Sequence, residues 1–411
     1  MSKLAILHYM PLEYYPPVTN LIDYIANNQL TNFERIEVYS CHNIKNRQPY
    51  VLSPSINDVH KKLVLHRAPF PKNSDNNIKR LYKYIYFNLV TLFRLILLKP
   101  NNLLYFESYS AWPAYIYTKY IKRNCHIYIH NHEYASPEWY KTTMKQVTYF
   151  HTLEKKWLYP HAKWISETNN ERLQLFRTDH PYLRVEQLEI MPNYPPRSWQ
   201  QQVQQPPSPH QPLNLSTTQP LNPLTPQPLK IVYVGSLSLE NTYLKEFCEW
   251  VIGFDGKIQF DIFSFNLHKD VELYISSINK NYISLQKDGI EYKSIPSIIS
   301  KYDVGIIFYK AYSHNVVNCV SNKFYEYLAC GLDIWFSSIM QSTHSLITSN
   351  SYPKVIPVNF EDLNNFNWEE AIKRINLTQL SNVYFCEPIY EKLILKILKR
   401  EASKSKSHKT N

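Results

Sequence analysis

Short apolar runs separated by longer amphipathic ones set the rhythm of this chain. Lys3–Tyr9 (KLAILHY), Arg35–Ser40 (RIEVYS), Leu103–Phe106 (LLYF), His126–His130 (HIYIH), Lys163–Ser166 (KWIS) and Glu189–Pro192 (EIMP) have the length and the Ile, Leu and aromatic content of strands. Between them, Val18–Asn27, a segment ending at Tyr120 and Asn169–Phe176 predict helices, the first beginning after Pro16 and Pro17. The second half repeats the scheme, with strands at Lys230–Val234, Lys257–Phe265, Val304–Phe308 and Asp333–Ser337. Helices are expected at Thr242–Ile252, Ile295–Lys301 and Asn322–Cys330, and the tail from Asn367 onward reads as helical. Strand–helix alternation in both halves predicts an α/β protein of two doubly wound, Rossmann-like parallel sheets facing each other across a cleft. Ligands of such sheets bind beyond the carboxyl ends of the strands.

The sharpest break in this rhythm is Trp199–Pro228, WQQQVQQPPSPHQPLNLSTTQPLNPLTPQP. Nearly uncharged and interrupted by proline, it has no means of building a core and predicts a disordered or extended linker. The expected organisation is a first domain over 1–198, a linker over 199–228, a second domain over 229–400 and a basic disordered tail over 401–411.

Composition narrows the chemistry. All six glycines lie after the midpoint, from Gly235 to Gly331, so the first half holds neither a P-loop nor a GxGxxG turn. A GxSxG nucleophile elbow is excluded there for the same reason. Residues 1–200 carry 25 Lys and Arg against 15 Asp and Glu, whereas the remainder carries 20 against 19, so nearly all of the +11 net charge sits in the first half. That imbalance points to an anionic partner: a membrane surface, a phospho-linked acceptor or nucleic acid. The 34 tyrosines follow strand and helix periods and no nucleic-acid module is present, so no nucleic-acid partner is expected. Six scattered cysteines without CxxC spacing argue against a zinc ribbon or disulfide scaffold and fit a reducing, cytoplasmic setting. The opening MSKLAILHYM is short and polar for a signal peptide. The longest apolar run, Tyr84–Leu98, is broken by Asn88 and Arg94. It reads either as a helix packed on a sheet or as an interfacial helix whose Lys79, Arg80, Lys83, Arg94 and Lys99 meet anionic lipid on the cytoplasmic face.

The most specific segment is Val320–Phe336, VSNKFYEYLACGLDIWF. Ser321 or Asn322 is placed to cap a helix that Gly331 ends, and Phe324, Tyr327 and Leu328 make its apolar stripe. Lys323 and Glu326, three residues apart, project near one another. Two readings follow from these residues: an exposed ion pair, or a diphosphate site at a helix amino end with Lys323 beside it and Glu326 accepting ribose hydroxyls.

The segment SNKFYEYLACGLD resembles the P-x-K-x-x-E-Y-x-A-x-G-x-P-like signature of family 4, or group 1, glycosyltransferases, which have the GT-B fold. IVYVGSL (Ile231–Leu237), AKWISETNNERL (Ala162–Leu173), IMPNY (Ile190–Tyr194) and HNHEY (His130–Tyr134) are similar to further segments of that family. The resemblance implies transfer of a sugar from a nucleoside-diphosphate sugar to a glycan or lipid-linked acceptor, in cell-surface polysaccharide synthesis. It further implies a retaining reaction without metal or cofactor. It places the donor at Gly235, Ser236, Lys245, Asn318, Ser321, Asn322, Lys323 and Phe324, with Glu326 and His132 as the catalytic pair. The sequence departs from the pattern at Asn318, where the family's first Glu stands, at Ser236 in place of Arg and at Asp333 in place of Pro. Phosphate neutralisation then falls to Lys323, Lys310 and helix amino ends.

In HNHEY, His130 and His132 would share one face if the strand continues, which leaves three roles: a metal pair, a polar turn that steers the acceptor, or a satisfied loop. Glu107, ending the strand LLYFES, reads equally as a general base or a helix cap. Two other function classes remain: a sugar-nucleotide epimerase on the same fold, and a non-catalytic nucleotide-sugar-binding descendant.

Overall fold

A computed structural model describes residues 2–42, 49–52, 62–72, 74–202, 227–264, 267–348, 350–373, 378–379 and 384–407. The chain divides into two compact units, Met1–Asn193 with Phe385–Asn411, and Tyr194–Tyr384.

In the first unit β1 (Ser2–Pro11) leads to α1 (Pro16–Tyr24), and β2 (Phe33–Cys41) and β3 (Leu63–Ala68) precede α2 (Asn77–Leu98). Then follow β4 (Asn102–Phe106), α3 (Ala111–Ile116), β5 (His126–His130), β6 (Ala162–Glu167), α4 (Asn170–Asp179) and β7 (Leu188–Ile190). The seven strands form one parallel sheet in the order β3-β2-β1-β4-β5-β6-β7, so the winding reverses between β1 and β4. Strands β1, β4 and β5 are buried almost without interruption, as sheets covered on both faces require. The register lines up His8, Phe106, His130 and Ser166 in one row at the carboxyl edge.

The second unit runs β8 (Leu229–Val234), α5 (Leu244–Ile252), β9 (Ile258–Phe263), β10 (Ile283–Gln286), β11 (Val304–Ile307), α6 (Asn322–Ala329), β12 (Asp333–Ser337) and β13 (Val355–Val358). Its six-stranded parallel sheet has the order β10-β9-β8-β11-β12-β13, with the reversal between β8 and β11. The expectation of two doubly wound parallel sheets holds.

The boundaries differ from those expected. The last helix, α7 (Glu387–Ser407), belongs to the first unit and not to a second domain ending at 400. Its Tyr390 hydroxyl donates to the Pro17 carbonyl at 2.8 Å, and Lys392 and Lys396 reach Glu189 at 2.6 and 3.2 Å. Leu393, Ile394 and Ile397 are buried there, so an apolar stripe decides the side to which the segment returns. The helix continues to Ser407, past the expected start of the tail, because nothing after Pro388 breaks it. Trp199, expected in the linker, lies in the short helix Ser198–Gln202 and packs on Tyr292 inside the second unit, 4.8 Å between ring centres. Residues 203–226, the body of the expected linker, lie outside the described residues, as do 408–411.

Candidate functional site

The second sheet concentrates its chemistry where β8 ends and α6 begins. Gly235 follows Val234 at φ +140°, a conformation that strains any L side chain. A Cβ there would stand 2.5 Å from Cε and 2.7 Å from Nζ of Lys323, so the absent side chain is what admits the lysine. Lys323, in the first turn of α6, donates from its ammonium to the Tyr309 hydroxyl at 2.6 Å. The ammonium lies 5.4 Å from the centre of the Tyr233 ring and 5.2 Å from that of Tyr309, within cation–π range. Burial works against this charge, but Tyr309, Tyr233 and Glu326 outweigh it and hold the group charged, above its ordinary value. No carboxylate among the described residues stands within ion-pair distance of it. The Tyr233 hydroxyl in turn donates to the Ser236 carbonyl at 2.7 Å and fixes the turn.

Helix α6 is tied to this turn, since the Val234 N–H donates to the Tyr327 hydroxyl at 3.0 Å. Its carboxyl end closes as expected. Gly331 sits at φ +77°, its N–H donates to Leu328, and that of Leu332 donates to Tyr327. The amino end differs from expectation: Ser321 occupies the cap position with extended backbone, yet its side chain makes no capping bond, and neither does that of Asn322 in the first turn. Glu326, one turn on, is 9% exposed, and burial pushes its carboxyl up to about 7 against the opposing pull of Lys323. An ammonium and a carboxyl are thus held beside a glycine turn, the elements needed to take an anion and a hydroxyl together.

Other residues expected at this site have partners of their own. Phe324 is 1% exposed in the apolar core with Phe336, where it packs the helix. Lys245 lies on the exposed side of α5, 3.9 Å from Glu249, one turn along the same helix. Lys310 is paired with Glu246 at 3.1 Å. Asn318 ends the short helix His314–Val317 and donates to the His314 carbonyl at 2.9 Å. Sequence reasoning missed Tyr233 and Tyr309. Their signal was faint: a phenol in the otherwise aliphatic KIVYV run, and another two residues beyond β11.

The first sheet carries a different group along its carboxyl edge. His130 and His132 meet edge to face at 4.8 Å, and His8 and His132 at 5.9 Å. The His132 ring stacks on Phe106, 5.1 Å between centres, and the residue is 5% exposed. Burial lowers all three imidazoles, His132 to about 3 despite the favourable Asn193 side chain, so all three are neutral at pH 7. Glu107 stands at φ +62°, a strained position for a non-glycine residue. Its carboxylate accepts from the backbone N–H of His132 at 2.7 Å and of Glu133 at 3.3 Å, so it anchors the HNHEY turn and caps no helix. Burial, reinforced by Glu133, pushes its carboxyl up to about 8. Arg172, at the start of α4, donates to the His132 carbonyl at 2.9 Å and holds the turn from the other side. Among the described residues, no group of three His, Cys, Asp or Glu has a metal-binding arrangement.

The sequence matches no protein-family model and no curated protein. In structure the chain is similar to sucrose-phosphate synthase from Thermosynechococcus elongatus, at TM-score 0.63 and 11% identity over 98% of this chain and 100% of that one. It is likewise similar to the apo form of the lipopolysaccharide outer core galactosyltransferase WaaB, at TM-score 0.56 and 11% identity over 97% and 99% of the two chains. These similarities and the two reversing parallel sheets decide the architecture. The fold is GT-B. UDP-GlcNAc 2-epimerase from Neisseria meningitidis, bound to UDP-GlcNAc, is similar at TM-score 0.52 and 11% identity over 97% and 100%. The GT-B fold at this level of identity is therefore common to transferases and epimerases.

Proposed function

We propose that the protein is a glycosyltransferase that takes a sugar from a nucleoside diphosphate and places it on a glycan or lipid-linked acceptor hydroxyl. The carrying observation is the Lys323 ammonium, held against Gly235 by two phenols and, among the described residues, with no carboxylate within ion-pair distance. A diphosphate supplies the missing charge, and the Gly235–Ser236 turn and the uncapped amino end of α6 add N–H donors. Glu326 takes the ribose hydroxyls. Ser321, Asn322 and Asn318 are read as further donor contacts.

In the reaction the bond between the anomeric carbon and the diphosphate oxygen breaks, and its electron pair leaves with the diphosphate. The acceptor oxygen forms the new bond to that carbon and gives up its proton. His132, with a pKa near 3, is a weak base at pH 7. The proton therefore passes to the departing diphosphate, and His132 is read as a neutral hydrogen-bonding group on the acceptor side. Lys323 stabilises the charge that develops on the leaving group, a role that calls for no metal, and the outcome is read as retaining. Glu107 and Arg172 position the turn that carries His132.

A second reading, epimerisation of the nucleotide sugar, draws on the Glu107 carboxyl, which keeps its proton near neutral pH and so has the character of an acid catalyst. A panel of nucleotide sugars incubated with and without acceptors separates the two. Transfer predicts nucleoside diphosphate released in step with a glycosylated acceptor, and an unchanged sugar when donor is supplied alone. An epimer formed from donor alone would overturn the transferase reading.

A further inference from the structure

Helix α2 (Asn77–Leu98) has a buried face and, opposite it, an exposed apolar one. Tyr84, Phe87, Thr91, Leu95 and Leu98 are buried against the first unit. On the opposite side Ile78, Tyr82, Ile85, Leu89, Phe93 and Leu97 stand exposed, Ile78 by 79%, Tyr82 and Leu97 by 65% and Phe93 by 62%. Their spacing of three and four residues places them in one stripe along the whole helix. A single exposed leucine needs no explanation, but a continuous stripe of large apolar side chains on one helix marks an interaction surface.

Charge identifies the occupant. The helix contains Lys79, Arg80, Lys83 and Arg94 and no Asp or Glu, with Lys99 directly after it; Asp75, just before it, pairs with Lys79 at 3.3 Å and Lys83 at 2.6 Å, so the charge offered to a partner is that of Arg80, Arg94 and Lys99. Lys122 donates to the Lys99 carbonyl at 2.8 Å, which brings the cationic Lys119–Arg123 turn to the same end, together with exposed Tyr120 and Ile121. Apolar side chains outermost, tyrosines among them and cations at both ends are the chemistry of the headgroup region of an anionic bilayer. A second copy of the chain fits poorly. A two-fold contact through this helix would set Arg80 of one copy against Arg94 and Lys99 of the other, with Asp75 already paired to Lys79 and Lys83 and no acid on the helix itself. The helix is long and apolar enough to cross a bilayer, but a third of its most apolar stretch is buried in the protein, so it lies on the surface and does not span it.

We propose that the outward face of α2 docks the first unit onto an anionic lipid surface, with Leu89 and Phe93 in the acyl boundary and Arg80, Arg94 and Lys99 on headgroup phosphates. This surface is independent of the sugar-transfer reading, and neither result decides the other.

The test is flotation of the full chain with phosphatidylcholine vesicles, with and without about 30 mol% phosphatidylglycerol. The wild type is expected to float with the anionic vesicles and not with the neutral ones, and to be released as salt rises. The double variant Leu89→Gln, Phe93→Gln is expected to lose about tenfold or more in vesicle affinity with an unchanged melting temperature, because both side chains are exposed. Arg80→Gln, Lys99→Gln is expected to weaken binding to the anionic vesicles. Absence of vesicle binding by the wild type, equal binding to neutral vesicles, or full retention in the Leu89, Phe93 variant would each overturn the proposal. So would a dimer in solution that the same pair of substitutions dissolves while vesicles bind neither form.

Discussion

Glu326 joins a buried titration to the ribose contact proposed for it. Its carboxyl has an ordinary value of 4.5 and stands at about 7 in the folded chain, with burial as the cause. The native state therefore holds this proton more tightly than the unfolded state does. The stabilisation is complete below pH 4.5, declines as pH rises through the interval to 7, and is lost above it. The Glu326→Gln variant removes the titration. Urea midpoints taken from pH 5 to pH 8 are expected to show the wild type losing stability relative to the variant up to about pH 7 and then running parallel to it. Parallel curves across the whole range would mean that the carboxyl is not buried as described. On the proposed ribose role, the same titration weakens recognition as pH falls, since protonation turns one carboxylate oxygen from an acceptor into a donor.

At the scale of elements, most of the strands were legible because each is a compact apolar run, and both reversing sheets follow from their alternation with helices. Strand β3 was not. Its His66 and Arg67 break the apolar run, and only the fold supplies their partners Glu37 and Glu13. β10, four residues at a sheet edge, offers too little pattern to read. Helix α6 was legible from its apolar stripe and its glycine end, and Lys323 with it. Tyr309 was not, because a single tyrosine among 34 announces nothing until the fold sets its hydroxyl on an ammonium. The Glu107 anchor was equally hidden, since its partners are backbone N–H groups 25 and 26 residues away. The return of α7 to the first unit is a long-range outcome that local pattern does not encode. It yields its own prediction: Ile394→Ala, at a fully buried position, is expected to cost about 2–5 kcal/mol of stability. Hydrogen exchange should locate the loss in α1 and in the first sheet. Loss of protection confined to residues 229–358 would contradict the division of the chain.

At the scale of the molecule, the two Rossmann-like units of the GT-B fold carry unlike chemistry. The first gathers neutral imidazoles, an anchored turn and most of the positive charge, and the second holds the buried Lys323 ammonium at a glycine turn. The account depends on that ammonium meeting a diphosphate. The most direct measurement is calorimetric titration of uridine, guanosine and adenosine diphosphates into the wild type and into Lys323→Met, with the melting temperatures of both proteins recorded. The wild type is expected to bind at least one of them, and the variant to bind it roughly ten- to a hundredfold more weakly, as loss of a charge-assisted contact predicts, while remaining folded. A folded variant that binds the same nucleotide as tightly as the wild type, or a wild type that binds none of the three, would contradict it.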